Sequence, residues 1–404
     1  MQKLTVEDIE PKGKRILMRV DFNVPLVGGK VTDDERIKAT LPTIKYLVDN
    51  SAKVILMSHL GRPKGQRVPE MSLKPCVPVL SSLLGKDVAF VDDCIGDRVE
   101  NAVRRLGDGD VIILENLRYY IQETENDSDF AAKLAGLGEI YVNDAFGAAH
   151  RAHASTEGVT HYIQQCAAGF LMMKELEYLG NVMENPCQPF IAILGGAKIS
   201  GKIDVITNLL PKVNKIIIGG GMTYTFLKAM GLEIGNSLLE EDKIDFAKDL
   251  LVQGGEKIVL PTDIIVSDLL DFDSRKVGQL KEVDIESIPA GWVGLDIGSK
   301  SIEKFRDILT GAKTVVWNGP MGVFEISDTA KGTYSIAQIL AEATAKGVTT
   351  VIGGGDSAAA VRKAGVSDKV SHVSTGGGAS LEFIEGKMLP GVAALTDKEL
   401  RATP

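Results

Sequence analysis

Short apolar runs rich in Val and Ile recur from one end of the chain to the other, and most are continuous where a half-exposed strand would alternate. In the first half they occupy 16–22 (ILMRVDF), 53–60 (KVILMSHL), 88–91, 111–116 (VIILEN) and 139–146 (EIYVNDAF). In the second half they occupy 189–196, 215–221, 257–266, 292–298, 314–320, 348–355 and 372–378. Unbroken apolar strands need cover on both faces, which parallel sheets obtain from the helices of their own crossovers. Helical periodicity between many of the runs, as at 35–49, 96–106, 328–346 and 357–364, supplies that cover. The expected fold class is therefore α/β, with parallel sheets.

A chain of 404 residues is too long for one core, so two domains are expected. The prolines of ENPCQP, just after the helical stretch 171–183, place the boundary near 185–189. This gives a first domain over 1–184, a second over 185–390, and a helix connecting them. The tail 391–404 starts after Pro390, and the sequence pattern leaves open where it docks.

The net charge of −9, from 45 basic and 54 acidic residues, argues against a nucleic-acid scaffold or a polybasic membrane binder. No apolar run approaches a membrane span and the first residues lack the apolar core of a signal peptide, so a cytoplasmic protein is expected. Cys76, Cys94, Cys166 and Cys187 form no C-x-x-C pair and are expected to be buried free thiols. The histidines beyond His59 show no metal-ligand spacing.

In open α/β sheets ligands bind beyond the carboxyl ends of the strands, and there the two halves differ. First-half runs close on Asp21 and Asn23, on His59 and Arg62, on Arg118, and on the segment 143–151 ending in Arg151, with Arg36 following the first strand. Arginines from separate strands on one edge of an acidic protein make a local anion trap, because the guanidinium fork matches phosphate and carboxylate and stays charged. Second-half runs close instead on glycine and lysine: GGAKISGK (195–202), GGGM (219–222), GLDIG (294–298), NGPMG (318–322), GGGDS (353–357) and TGGG (375–378). The 43 glycines thus gather where backbone must approach a ligand, with helix N-termini behind them to receive phosphate, and Asp356 is placed to reach a phosphate-bound magnesium. Residues 196–203 miss the P-loop signature at Ile203, and no G-x-G-x-x-G follows a strand, so neither a Walker NTPase nor a nicotinamide dehydrogenase is supported.

RVDFNVPL (19–26), SHLGRPKG (58–65), LENLRYY (114–120), NDAFGAAHRAHAST (143–156), GGAKISGK (195–202), GGGMTYTF (219–226), VWNGPMGVFE (316–325), GGGDSAAAV (353–361) and STGGGASLEF (374–383) resemble, in order and over nearly the whole chain, the signatures of the phosphoglycerate kinase family. The resemblance implies two Rossmann-like parallel-sheet domains joined by a hinge helix with the ligand cleft between them. It also implies a monomer with its C-terminal segment on the first domain. The implied reaction is reversible phosphoryl transfer from 1,3-bisphosphoglycerate to ADP, giving 3-phosphoglycerate and ATP, with Mg2+ on the nucleotide.

By the same resemblance Asp21, Asn23, Arg36, His59, Arg62, Arg118 and Arg151 bind the glycerate. Lys198, Lys202, Gly219, Gly220, Gly221, Gly294, Asn318, Glu325, Gly354, Gly355, Asp356 and Ser357 bind the nucleotide, Asp356 also reaching the metal. Catalytic contacts fall to Arg36, Lys202, Gly376 and Gly377. Tyr119, Ala148 and Ser299 depart from the family pattern without touching a proposed charged contact. The chemistry agrees, since a phosphate or carboxylate nucleophile is already ionised and needs alignment and charge neutralisation, with no general base. The alternatives are a kinase of another small carboxylate and a non-catalytic two-lobed anion-binding protein.

Overall fold

The computed structural model describes residues 3–398, which fall into two compact units. One comprises the chain up to Glu177 together with the segment from Met388 on, and the other is Tyr178–Lys387. The division lies inside the helix Phe170–Glu184, before the prolines at which the sequence pattern puts it.

The first unit is built on six parallel strands: β1 (Arg15–Arg19), β2 (Lys53–Met57), β3 (Ala89–Val91), β4 (Val111–Leu114), β5 (Ile140–Asn143) and β6 (Cys166–Ala168), in the order β3-β4-β2-β1-β5-β6. Ile16, Leu17 and Met18 of β1 have no solvent exposure, which is why the run does not alternate. The chain moves outward from β1 through β2 to β3 and β4, then returns to β5 on the other side. That reversal leaves a crevice at the carboxyl ends of β1 and β5, where this class of sheet binds ligands. Strand β6, three small residues, carries too little pattern to be read from the sequence. The C-terminal segment joins this unit: Leu4 N donates to Thr396 O at 2.8 Å, and Lys3 Nζ donates to Leu395 O at 2.8 Å. The part of the tail at 399–404 lies outside the described residues.

The second unit repeats the plan with β7 (Phe190–Leu194), β8 (Lys215–Ile218), β9 (Ile258–Val259), β13 (Thr314–Asn318), β14 (Thr349–Gly353) and β15 (His372–Val373), in the order β9-β8-β7-β13-β14-β15. Its crevice falls between β7 and β13. The core beneath it centres on Trp317 and Phe305, both without exposure.

Here the structure departs from an all-parallel expectation. The run 257–266 splits into β9 and a separate strand, β10 (Asp263–Ser267), which pairs antiparallel with β11 (Leu280–Asp284) and β12 (Val293–Ile297). Strand β11 has exposed and half-buried residues only, so it lacks the apolar signal of its partners. The thiol expectation also needs correction: Cys76, Cys94 and Cys166 are buried, but Cys187 is exposed in the turn before β7.

Candidate functional site

In the first unit the residues closing four strands come together. Asp21 follows β1 and is buried. Arg36, in the first turn of the helix Glu35–Asp49, donates from its guanidinium to the Asp21 carboxylate. Asn23 accepts at Oδ1 from Gly61 N at 2.9 Å, and Arg118 NH1 donates to Gly61 O at 2.7 Å, so the turn after β2 is clamped from two neighbouring strands. Gly61 itself sits at φ +64°, a conformation that favours glycine. Arg62, Arg118, Arg151 and His153 line one cavity of about 420 Å3 together with Lys64 and Tyr120.

This gathering of cations is electrostatically uncomfortable without a ligand. Burial, with the like charges of Arg19 and Arg151, holds Arg118 down at about 10. Burial and neighbouring arginines push His153 down to about 4 and His59 well below the usual imidazole range. Both imidazoles are therefore neutral near pH 7, and the positive charge resides on guanidiniums. An anion here would relieve the repulsion.

Two members of this cluster escape a reading based on strand ends. Arg19, inside β1 and fully buried, reaches His59 and Ser155, and Glu123 is its equally buried acidic counterpart through Ser155. An arginine in an apolar strand was the available signal. Glu123 gave none, because it lies in an ordinary polar stretch.

In the second unit the loops after β7, β8 and β13 pack backbone to backbone, and the turn after β14 packs on the Asn318 side chain. A Cβ on Gly195 would lie 2.1 Å from Pro320 O, and one on Gly220, which has φ +68°, would lie 2.6 Å from Gly196 N. Asn318 closes β13. Its side-chain oxygen accepts from Lys202 Nζ, which ends a short turn before the helix Ile203–Leu209. Burial lowers Lys202 to about 8, with Glu385 and Asp356 opposing that shift. Ser357 Oγ accepts from Gly319 N at 2.6 Å, tying the β13 turn to the helix Gly355–Lys363, whose first turn carries Asp356 as an exposed carboxylate. Gly376 N donates to Ser374 Oγ at 3.1 Å, ahead of the helix Gly378–Ile384, and Gly377 has φ +51°.

The remaining positions are more scattered. Gly294 N donates to Ser237 Oγ at 2.9 Å, and a Cβ there would overlap Tyr224, so the β12 strand lies flat on that ring. Gly219 packs on Met321, and Gly221 packs on Ala197 and Leu238. Lys198 is exposed and Glu325 half-buried. Among the departures from the family pattern, Tyr119 donates to Val68 O at 2.6 Å and Ser299 to Glu282, so both are locally accommodated.

Two parallel α/β units, one ending its strands in arginine and the other in glycine and lysine, define a phosphotransferase that needs no ionised nucleophile of its own. The family model for phosphoglycerate kinase matches residues 6–387, and the chain belongs to that family. It is 57% identical to the phosphoglycerate kinase of Chloroherpeton thalassium over 400 residues, covering 98% of this chain and 100% of the relative. To that of Thermosipho africanus it is 56% identical over 403 residues, covering 99% of each. The solved phosphoglycerate kinase of Coxiella burnetii superposes with a TM-score of 0.87 at 39% identity, over 97% of this chain and 98% of that one. The family places the protein among phosphotransferases with a carboxyl group as acceptor.

Proposed function

We propose that the chain catalyses reversible transfer of a phosphoryl group from 1,3-bisphosphoglycerate to ADP, with the glycerate held on the first unit and the nucleotide on the second. The observation that carries this reading is the division of chemistry between the sheets. One crevice gathers guanidiniums around neutral imidazoles, and the other presents glycine turns and a half-buried lysine.

Asp21 and Asn23 take the hydroxyl and carboxyl end of the glycerate. His59, Arg62, Arg118 and Arg151 take its phosphate, and Arg36 faces the group in flight. Lys198, Lys202 and the turn Gly354–Ser357 hold nucleotide phosphates; Gly219, Gly220, Gly221 and Gly294 hold the base; Asn318 and Glu325 hold the nucleoside. Gly377 donates its backbone amide to the transferring oxygens, and Gly376, whose amide is taken by Ser374 Oγ, shapes the turn that presents it.

A magnesium ion suits the nucleotide side. Magnesium is usually held by one or two carboxylates plus phosphate oxygens, and Asp356 offers one exposed carboxylate in a helix's first turn, while the described residues contain no cluster of three or more acidic, His or Cys ligands. Bound there with the phosphates, it would supply charge neutralisation. The rest falls to the protein: Lys202 and Arg36 compensate charge on the equatorial oxygens, and the neutral imidazole of His59 donates a hydrogen bond without adding to the repulsion among the arginines.

Purified protein mixed with 3-phosphoglycerate and Mg-ATP should form ADP in a coupled assay. Absence of ADP with a working coupling system would refute the reaction. ADP formation with another small carboxylate at higher kcat/KM would refute the substrate.

A further inference from the structure

We infer that Glu123, which the ligand contacts above do not include, is a positioning residue that acts through Ser155 and Arg19 to fix His59 as a neutral donor with its proton on Nε2. The inference rests on the reading that His59 faces the glycerate phosphate.

The donor and acceptor assignments leave no freedom along this chain. A guanidinium only donates. Arg19 Nε lies 2.8 Å from Ser155 Oγ, so that oxygen accepts, and its one proton goes to Glu123 Oε1 at 2.6 Å. Ser155 N also donates to Glu123 Oε2 at 3.0 Å, so both carboxylate oxygens are engaged by one serine. At its other end Arg19 NH2 lies 3.1 Å from His59 Nδ1, which must then present a lone pair. The ring's single proton is thereby left on Nε2, free to be donated to an anion. Arg19, Ser155 and Glu123 have no solvent exposure, and His59 has 6%. No water competes for these directions.

A purely structural reading of Glu123 would make it the counter-ion that allows Arg19 to be buried. That explains the charge balance but not the geometry. A counter-ion would gain most by touching the guanidinium directly, whereas here a hydroxyl stands between them and turns the arginine by its Nε. What the intervening serine adds is orientation, and the atom oriented at the far end is His59 Nδ1. Burial and the positive charges of Arg19, Arg118, Arg36 and Arg151 all oppose a second ring proton on His59.

The test is nitrogen-15 NMR of the histidine side chains in the full-length protein, whose five histidines allow assignment of His59 by a His59→Gln variant. In the wild type His59 is expected with Nε2 protonated and Nδ1 bare, without ligand, from pH 6 to pH 8. Ser155→Ala and Glu123→Gln should both replace this by a tautomer mixture. Both should also raise the KM for 3-phosphoglycerate roughly tenfold, the loss of one charge-assisted hydrogen bond, with the KM for ATP within about twofold. Ser155→Ala keeps the buried carboxylate and guards against a Glu123→Gln variant that does not fold. An unchanged His59 tautomer in folded Ser155→Ala would overturn the inference. A lost tautomer with unchanged glycerate KM would uphold the positioning chain and overturn the assignment of His59 to the glycerate.

Discussion

Arg36 donates from its guanidinium to the Asp21 carboxylate, joining the first turn of a helix to the end of β1. The Arg36 side chain retains 39% exposure, against 11% for Asp21, so the pair contributes little to stability, about 1 kcal/mol at most. On the proposed reading its value is placement, because it holds a cation beside the carboxyl end of β1 from a rigid element. Arg36→Ala is expected to lower kcat by roughly a thousandfold or more, with nucleotide affinity and melting temperature little changed. Steady-state kinetics alongside thermal melting checks this. Turnover near that of the wild type would make Arg36 an ordinary surface residue.

On the proposed reading, Lys202 makes nucleotide binding sensitive to alkaline pH. Burial holds its ammonium at about 8 in the free protein, against a usual lysine value of 10.5. Phosphates beside it would raise that value, so nucleotide binding above pH 8 takes up a proton and affinity falls as pH rises further. The sign for stability is the reverse. Between about 8 and 10.5 the unfolded chain binds the proton that the folded chain has released, so this group makes the free protein more stable as pH rises through that window. Calorimetry of ADP binding at pH 8.5 in buffers of differing ionisation enthalpy should reveal proton uptake that vanishes in Lys202→Met. At pH 7 that variant should bind ADP weakly while gaining about 1–2 kcal/mol of ligand-free stability.

The sequence made the strand ends legible because continuous apolar runs mark both the sheets and, at their carboxyl ends, the ligand edge. It therefore led to Asp21, His59, Arg118, Asn318 and Ser357, each now at the end of a strand or in the turn or first helical turn beyond it. What was hidden depends on long-range partners. Arg19 and Glu123 are joined only through Ser155, 136 and 32 residues away respectively, and no local spacing marks such a link. Strand β11 was hidden because it is itself an edge strand of a small sheet, paired only with β10, and its own side chains are exposed or half-buried. The segment 143–151 shows the mixture: Arg151 was legible as a strand-end cation, whereas Asp144 is spent on the fold, taking Met172 N at 3.1 Å in the first turn of the helix Phe170–Glu184.

Asp144 and Asp296 predict an unusual acid-side behaviour. Burial raises each carboxyl to about 7, from an ordinary 3.8. Between these values the folded chain holds a proton that the unfolded chain has lost, so both groups make stability decrease as pH rises from about 4 to 7. Asp296 Oδ2 accepts from Gly332 N at 2.6 Å, while Oδ1 is buried without a partner, so an asparagine can keep the first bond and remove the charge. Asp296→Asn should flatten the fall in melting temperature between pH 5 and 7 and raise stability at pH 7.5 by about 1–3 kcal/mol. A melting profile parallel to that of the wild type would show Asp296 ionised throughout.

The close packing of glycine turns in the second unit separates steric necessity from mere abundance of glycine. A Cβ at Gly195 would lie 2.1 Å from Pro320 O and 2.6 Å from Gly319 O. Both are backbone atoms in the turn that follows β13, so relief requires the β7 and β13 turns to move apart. A Cβ at Gly201, six positions along the same motif, meets nothing within 4 Å. Gly195→Ala should cost about 2 kcal/mol or more and weaken ADP binding by displacing Asn318 and the β13 turn. Gly201→Ala should hold or slightly raise the melting temperature, since alanine lowers the freedom of the unfolded chain. Equal melting temperatures for the two variants would mean that the turns yield without cost, and the glycine edge would then owe its composition to ligand approach alone.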